Sequence, residues 1–235
     1  MSIKVVLFDL DGTLLPMDQD TFIKAYLGGM AKKLAPHGYE PEKLVKAVYA
    51  GMKAMTTNDG SCTNEEAFWN AFTGLLGEKV REDIPIFDDY YLHEFQEVKN
   101  ICGFLPEAAK TIQTLKEKGF RVALATTPMF PSIATESRIR WAGLTPEDFE
   151  IFTTYENYHF CKPNLNYYRE VVEKLGVKPE ECLMVGNDVG EDMITEELGM
   201  KVFLMPADLI NKVEKDIAVY PQGDFADLLA YIDTL

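Results

Sequence analysis

Asp9-Leu10-Asp11-Gly12-Thr13 sets two carboxylates two residues apart, directly after the apolar run Ile3–Phe8. Other polar groups follow apolar runs in the same way. Thr126 and Thr127 follow Arg121–Ala125, Lys162-Pro163 comes shortly after a weaker run at Glu150–Thr153, and Gly186-Asn187-Asp188 with Glu191 and Asp192 follows Cys182–Val185. Carboxylates, hydroxyls and one ammonium suit phosphoryl transfer. A carboxylate that attacks a phosphate dianion needs the repulsion cancelled, which a metal and a lysine can do. A hard, oxygen-ligated cation such as Mg²⁺ is expected on Asp9 and Asp188, keeping waters and a phosphate oxygen as further ligands. Asp11, the second acid, can protonate the leaving alkoxide and then deprotonate the attacking water.

Each group also has a plain structural reading. Asp188 and Asp192 could favour a helix N-terminus through the dipole. Pro163 suits a first helical turn, which would leave Lys162 a solvated flank whose loss spares the fold. Thr126 is a β-branched residue at a strand end.

What must position these groups is legible as two textures. Ile3–Phe8, Arg121–Ala125, Cys182–Val185 and Lys201–Met205 read as buried strands of a parallel sheet, with Glu150–Thr153 as a weaker fifth. Helical patterns lie between them: Pro106–Lys118 before Gly119, and Asn164–Leu175 before Gly176. Alternation of this kind predicts an α/β, doubly wound parallel sheet. In such sheets ligands bind beyond the carboxyl ends of the strands. The second texture, from about Pro16 to Asn100, shows no strand. Four apolar stripes mark helices: Ile23 to Leu34, Leu44 to Met55, Ala67 to Leu75, and Tyr91 to Val98. Breakers at Pro36-His37-Gly38, Asn58-Asp59-Gly60 and Pro85 separate them. Thr63 with Glu66 reads as a capping box. A helical bundle thus interrupts the sheet just after its first strand.

The chain has 235 residues, 47% of them hydrophobic, enough for a proper core. With 23 basic against 38 acidic residues and a net charge of −15, it lacks the basic footprint of a nucleic-acid binder. Cys62, Cys102, Cys161 and Cys182 are scattered without a zinc-type spacing. No signal-like start and no apolar run of membrane length is present. A cytoplasmic protein with reduced thiols is expected, as a monomer or weak homodimer.

In these motifs the sequence resembles the haloacid dehalogenase superfamily, in the phosphatase branch that carries a helical cap after the first motif, of the phosphoglycolate phosphatase and β-phosphoglucomutase type. The motifs occur in order: Asp9-Leu10-Asp11-Gly12-Thr13, Thr126, Lys162-Pro163, and Gly186-Asn187-Asp188 with Asp192. The resemblance implies a Rossmann-like core from 1–15 and 101–235 and a cap from 16–100. It implies Asp9 as nucleophile and metal ligand, and Asp11 as acid/base whose main-chain carbonyl is a further ligand. Thr126 would hydrogen-bond the phosphoryl group, Lys162 would neutralise it, and Asp188 would complete the Mg²⁺ site with Asn187 and Asp192 in support. Gly12, Thr13, Thr127 and Asn58 are the candidate substrate contacts, Asn58 from a cap loop over the site. The sequence departs from the family where Asn187 precedes Asp188 and where Thr127-Pro128 follows Thr126. Asp188 is the favoured ligand, since an anion holds Mg²⁺ better than an amide. The implied function is Mg²⁺-dependent hydrolysis of a small phosphorylated metabolite. A phosphomutase would use the same core, and a non-catalytic phosphate-binding protein would be expected to have lost a motif acid.

Overall fold

The computed structural model describes residues 2–235; Met1, the first residue of the expected core segment, lies outside them. Four parallel strands, β1 (Val5–Phe8), β2 (Arg121–Leu124), β3 (Cys182–Gly186) and β4 (Lys201–Leu204), form one sheet in the order β2-β1-β3-β4. Val5 lies opposite Arg121 on one side and Cys182 on the other, so the three strands end level with one another. Side chains alternate across β1. Val6 and Phe8 join a core with Ile112, Leu115 and Ile139, while Val5 and Leu7 join a second with Tyr167, Val171 and Met184. Both faces are therefore dry, which is why the strands read as unbroken apolar runs. Glu150–Thr153 does not form a full strand. It runs along β2 with one bridge, Leu124 to Phe152, and the Glu150 and Thr153 amides donate to Val122 and Leu124.

Between β1 and β2 run α1 (Gln19–Leu34), α2 (Pro41–Thr56), α3 (Asn64–Leu76), α4 (Ile84–Leu92) and α5 (Pro106–Glu117). The caps follow the local chemistry. Asp18 accepts from the Thr21 amide at the start of α1, and Thr63 and Glu66 form the expected capping box on α3. Two expectations need correction. The last stripe is split, because α4 stops at Leu92 and Glu94–Ile101 continues as 3-10 helix, yet Tyr91, Phe95 and Val98 are all buried. On α3 the inward face is Trp69 and Phe72, while Leu75 is 51% exposed. The bundle is not walled off from the sheet: one hydrophobic core holds Phe22, Tyr26 and Phe95 together with Phe8, Val185 and Trp141.

The remaining helices are α6 (Ser132–Trp141), α7 (Leu165–Leu175) and α8 (Phe225–Ile232). Asn164 caps α7, so Pro163 precedes that helix instead of opening it. The two chain connections of the bundle meet where the Gly103 amide donates to the Pro16 carbonyl at 2.7 Å. A Cβ at Gly103 would press on the Pro16 ring, so the glycine permits the approach.

Two truncations test the α3 assignment. Phe72→Ala should cost about 3–5 kcal/mol, the usual loss for a buried phenylalanine. Leu75→Ala should stay within about 0.5 kcal/mol, as at an exposed position. Urea midpoints at unchanged slope would measure both, and an equal loss at the two sites would contradict this packing.

Candidate active site

Asp9 follows the last residue of β1 and is 8% exposed at the base of a cleft of about 330 Å³. Lys162 arrives in the loop before α7 and is 2% exposed. Its Nζ donates to Asp9 Oδ1 at 2.8 Å and to Asp192 Oδ1 at 2.6 Å, and Asp192 Oδ2 accepts from the Asp188 amide at 3.0 Å. Burial works against the ammonium, but Asp192 and Asp9 outweigh it and hold Lys162 above the usual lysine range. Burial pushes Asp192 up, and Lys162 draws it back. The solvated-flank reading of Lys162 fails here. So does the expectation that the fold ignores it, because its loss would leave two buried carboxylates facing each other.

Asp11 also borders the cleft, with one carboxylate oxygen ion-paired to the guanidinium of Arg138 and the other buried without a partner among the described residues. Arg138 is 1% exposed, and its guanidinium lies 4.3 Å from the centre of the Phe130 ring. Burial pushes the Asp11 carboxyl up, and Arg138 pulls it back. No sequence signal identified Arg138, since α6 carries polar residues on its buried side.

Thr126, at the carboxyl end of β2, lines the cleft, and its carbonyl is fixed by the Tyr167 hydroxyl at 2.9 Å and by the Thr153 hydroxyl. No described residue hydrogen-bonds its own hydroxyl. Thr127 borders the cleft too, but its hydroxyl donates to Glu191 at 3.0 Å. Glu191, pushed up by burial, is a cleft residue that the motif reading left without a role.

The two candidates after β3 are disposed differently. The Asn187 amide is engaged at both ends, donating to the Asp208 carbonyl at 2.7 Å and accepting from Thr13 at 3.1 Å. Asp188 uses Oδ1 to accept from the Gly190 and Glu191 amides at 2.7 and 3.0 Å, which leaves Oδ2 without a protein donor among the described residues. Asp9, Asp11, Asp188, Glu191 and Asp192 all reach the cleft. No three His, Cys, Asp or Glu side chains among the described residues cluster as an ion cage. The donor set fits Mg²⁺ nevertheless, because that ion takes one or two carboxylates and keeps its waters. Asp9, Asp188 and the Asp11 main-chain carbonyl, which accepts no hydrogen bond among the described residues, are the oxygens able to hold it.

Three expected substrate contacts do not line the cleft. Gly12 turns at φ 85°, its amide donates to the Leu15 carbonyl at 2.8 Å, and a Cβ there would collide with the Asn187 amide. Thr13 is buried, its hydroxyl on Asn187 and 3.5 Å from Asp9 Oδ2. Asn58 binds within its own loop, donating to the Cys62 carbonyl and to Asn64 Oδ1 at 2.9 and 3.0 Å. The neighbouring Gly60 backs onto Phe160, so this loop braces the lysine loop instead of facing the cleft. Cys161, beside Lys162, is pushed up by burial to about 12 and stays a thiol.

A family model for haloacid dehalogenase-like hydrolases matches residues 3–195. The pyrophosphatase PpaX of Bacillus cereus is 26% identical over 188 residues, 80% of this chain and 76% of that protein. The phosphoglycolate phosphatase of Aquifex aeolicus is 25% identical over 206 residues, 86% of this chain and 84% of its own. A solved haloacid dehalogenase-type phosphatase from Thermococcus onnurineus superposes with a TM-score of 0.61 at 19% identity, covering 98% of each chain.

The buried Asp11–Arg138 pair makes a stability prediction. Arg138→Met strands a carboxylate and should cost about 3 kcal/mol, near the lower end for a broken buried pair since Asp11 borders the cleft. Adding Asp11→Asn should restore part of that loss. Denaturation midpoints of the two single and the double variant supply the cycle, and strict additivity would mean that the pair is not coupled.

Proposed function

Since this chain belongs to the haloacid dehalogenase-like hydrolase family, we propose that it is a phosphatase that hydrolyses a small phosphorylated metabolite by transient phosphorylation of Asp9. The observation that carries the reading is the 2.8 Å contact between Lys162 and Asp9 Oδ1 at the base of a cleft that Asp11 also borders. That contact fixes the Asp9 carboxylate, whose Oδ2 is the proposed attacking oxygen.

The first step forms the bond from Asp9 Oδ2 to phosphorus and breaks the bond from phosphorus to the substrate's ester oxygen. Asp11 delivers its proton to that oxygen, and the alcohol leaves. Burial, which favours the neutral carboxyl, supports this acid role. In the second step the Asp11 carboxylate takes a proton from water, and the resulting oxygen attacks the same phosphorus. The Asp9–phosphate bond breaks, inorganic phosphate departs, and Asp11 is protonated again. Lys162 neutralises the transferring group, and the Thr126 hydroxyl is the proposed donor to it. Mg²⁺, held by Asp9, Asp188 and the Asp11 carbonyl, would supply the remaining positive charge. Residues 16–100 are proposed as a cap over a core of 1–15 and 101–235. The paired connections at Pro16 and Gly103 support a hinge there.

Asp9→Asn should reduce kcat to background while a 1:1 phosphoenzyme, trapped from the parent by acid quench, disappears. Asp11→Asn should lose about 10²–10⁴-fold, more on alkyl than on aryl phosphates, because an aryl oxide needs little protonation. Equal losses on both ester classes would remove Asp11 from the acid role.

Lys162→Ala should lower kcat by about 10²–10³-fold. It should also melt lower, because Asp9 and Asp192 would remain buried and unpaired. Chelation should abolish turnover and added Mg²⁺ restore it; full activity in excess chelator would refute the metal site.

A further inference from the structure

We propose, on the basis of the phosphatase reading, that the alcohol portion of the substrate is uncharged and largely apolar, a short chain or a single ring. The cleft has two unlike walls. Asp9, Asp11, Asp188, Glu191 and Asp192 line the one proposed for the phosphoryl group, with Lys162 bonded to Asp9 and Asp192. The opposing wall is built from Phe22, Ile23 and Tyr26 of α1, Met52 of α2 and Phe130 beyond β2. Positions 22, 23 and 26 share one helical face, so α1 presents a continuous apolar surface to the cleft.

Polar hooks are missing from that wall. The Tyr26 hydroxyl pairs with the Tyr91 hydroxyl at 2.8 Å, inside the bundle. Arg138 sits against the Phe130 ring and is tied to Asp11, so its charge is not offered to a ligand. Gln19 and Lys212 border the cleft from exposed positions at its mouth. A carboxylate or second phosphate pressed on this wall would be desolvated without a partner. Sugar hydroxyls would lose water and find no replacement.

A second observation points the same way. Tyr26, Met52 and Phe130 also line a small cavity of about 30 Å³ between the bundle and the residues after β2. Its wall is aromatic and aliphatic apart from Asp88, whose carboxyl burial pushes up toward the neutral form. Met52 borders both spaces, and an unbranched thioether is well suited to repack around a guest. Repacking of Met52 would let a longer apolar tail extend toward this second space.

The test is a kcat/KM series with Mg²⁺ present, using ethyl, butyl, hexyl and phenyl phosphate against phosphoglycolate, pyrophosphate and glucose 6-phosphate. Activity should climb roughly four-fold per methylene until the cleft is filled. The three polar compounds should trail butyl phosphate by about 10²-fold, as expected when a charge or hydroxyl loses its partners. Met52→Gln and Ile23→Asn should flatten the climb. If any polar compound exceeded butyl phosphate, or the alkyl series were flat in the parent protein, the inference would be overturned while the phosphatase reading stood. If no ester at all were turned over, that reading would fall and take the inference with it.

Discussion

Three charges buried together at the carboxyl end of the sheet, Asp9, Lys162 and Asp192, constrain the rest of this molecule. Each would cost several kcal/mol if buried alone, so the group is tolerable only when complete. Completing it requires three distant stretches to meet: the end of β1, the loop before α7 and the turn after β3. The surrounding sequence serves that meeting. A Cβ at Gly186 would collide with the Asp192 carboxylate, so the last residue of β3 has no side chain. The Tyr168 hydroxyl donates to the Glu191 carbonyl at 2.7 Å and steadies the turn. From the bundle, Asn64 reaches the Pro128 and Phe160 carbonyls at 3.3 Å each, tying α3 to the loops beside Thr126 and Lys162.

A second buried pair, Asp11 with Arg138, divides the labour between neighbouring acids. Lys162 is shared by Asp9 and Asp192, while Arg138 serves Asp11 from the opposite side. Two acids two residues apart thus live in different electrostatic settings, which suits the separate roles proposed for them. The ring of Phe130 carries this arrangement toward the bundle, since it packs on Arg138 and, edge-on, against Tyr26 at 5.2 Å. The proposed catalytic acid and the apolar cleft wall are therefore joined by direct side-chain contacts.

Much of this was legible in the chain. Strands buried on both faces leave unbroken apolar runs, and polar residues at their ends mark the convergence point, so β1 to β4 and the meeting of Asp9, Asp11, Thr126 and Asp188 at one cleft could be read directly. The misses share a physical cause. Helix α6 buries Thr135, Ser137 and Arg138 beside Ile139 and Trp141, so its pattern is not amphipathic and neither the helix nor its arginine stood out. Pairing of Arg138 with Asp11 spans residues too distant for any spacing rule. Gly12, Thr13 and Asn58 were expected at the ligand because they belong to the first motif or to a turn, yet their hydrogen-bonding groups are taken up by Leu15, Asn187 and the Cys62–Asn64 stretch instead. Sequence proximity to a reactive group does not say which way a side chain turns. The apolar cleft wall was hidden similarly, since Phe22, Tyr26 and Met52 look like ordinary bundle core until the sheet lies opposite them.

The meeting of Pro16 and Gly103 has a consequence for the order in which the chain can assemble. Residue 5 pairs with residue 121, and closing a flexible loop of that length carries a large entropic cost before any strand contact repays it. The intervening helices make mostly local contacts of their own, and such contacts form fastest. A bundle that folds first brings residues 16 and 103 within hydrogen-bonding distance, leaving two short arms to close in place of the whole insertion. The inserted helices would then act as a splint for β1 and β2, and changes that loosen the bundle would slow formation of the sheet even where they touch none of its strands.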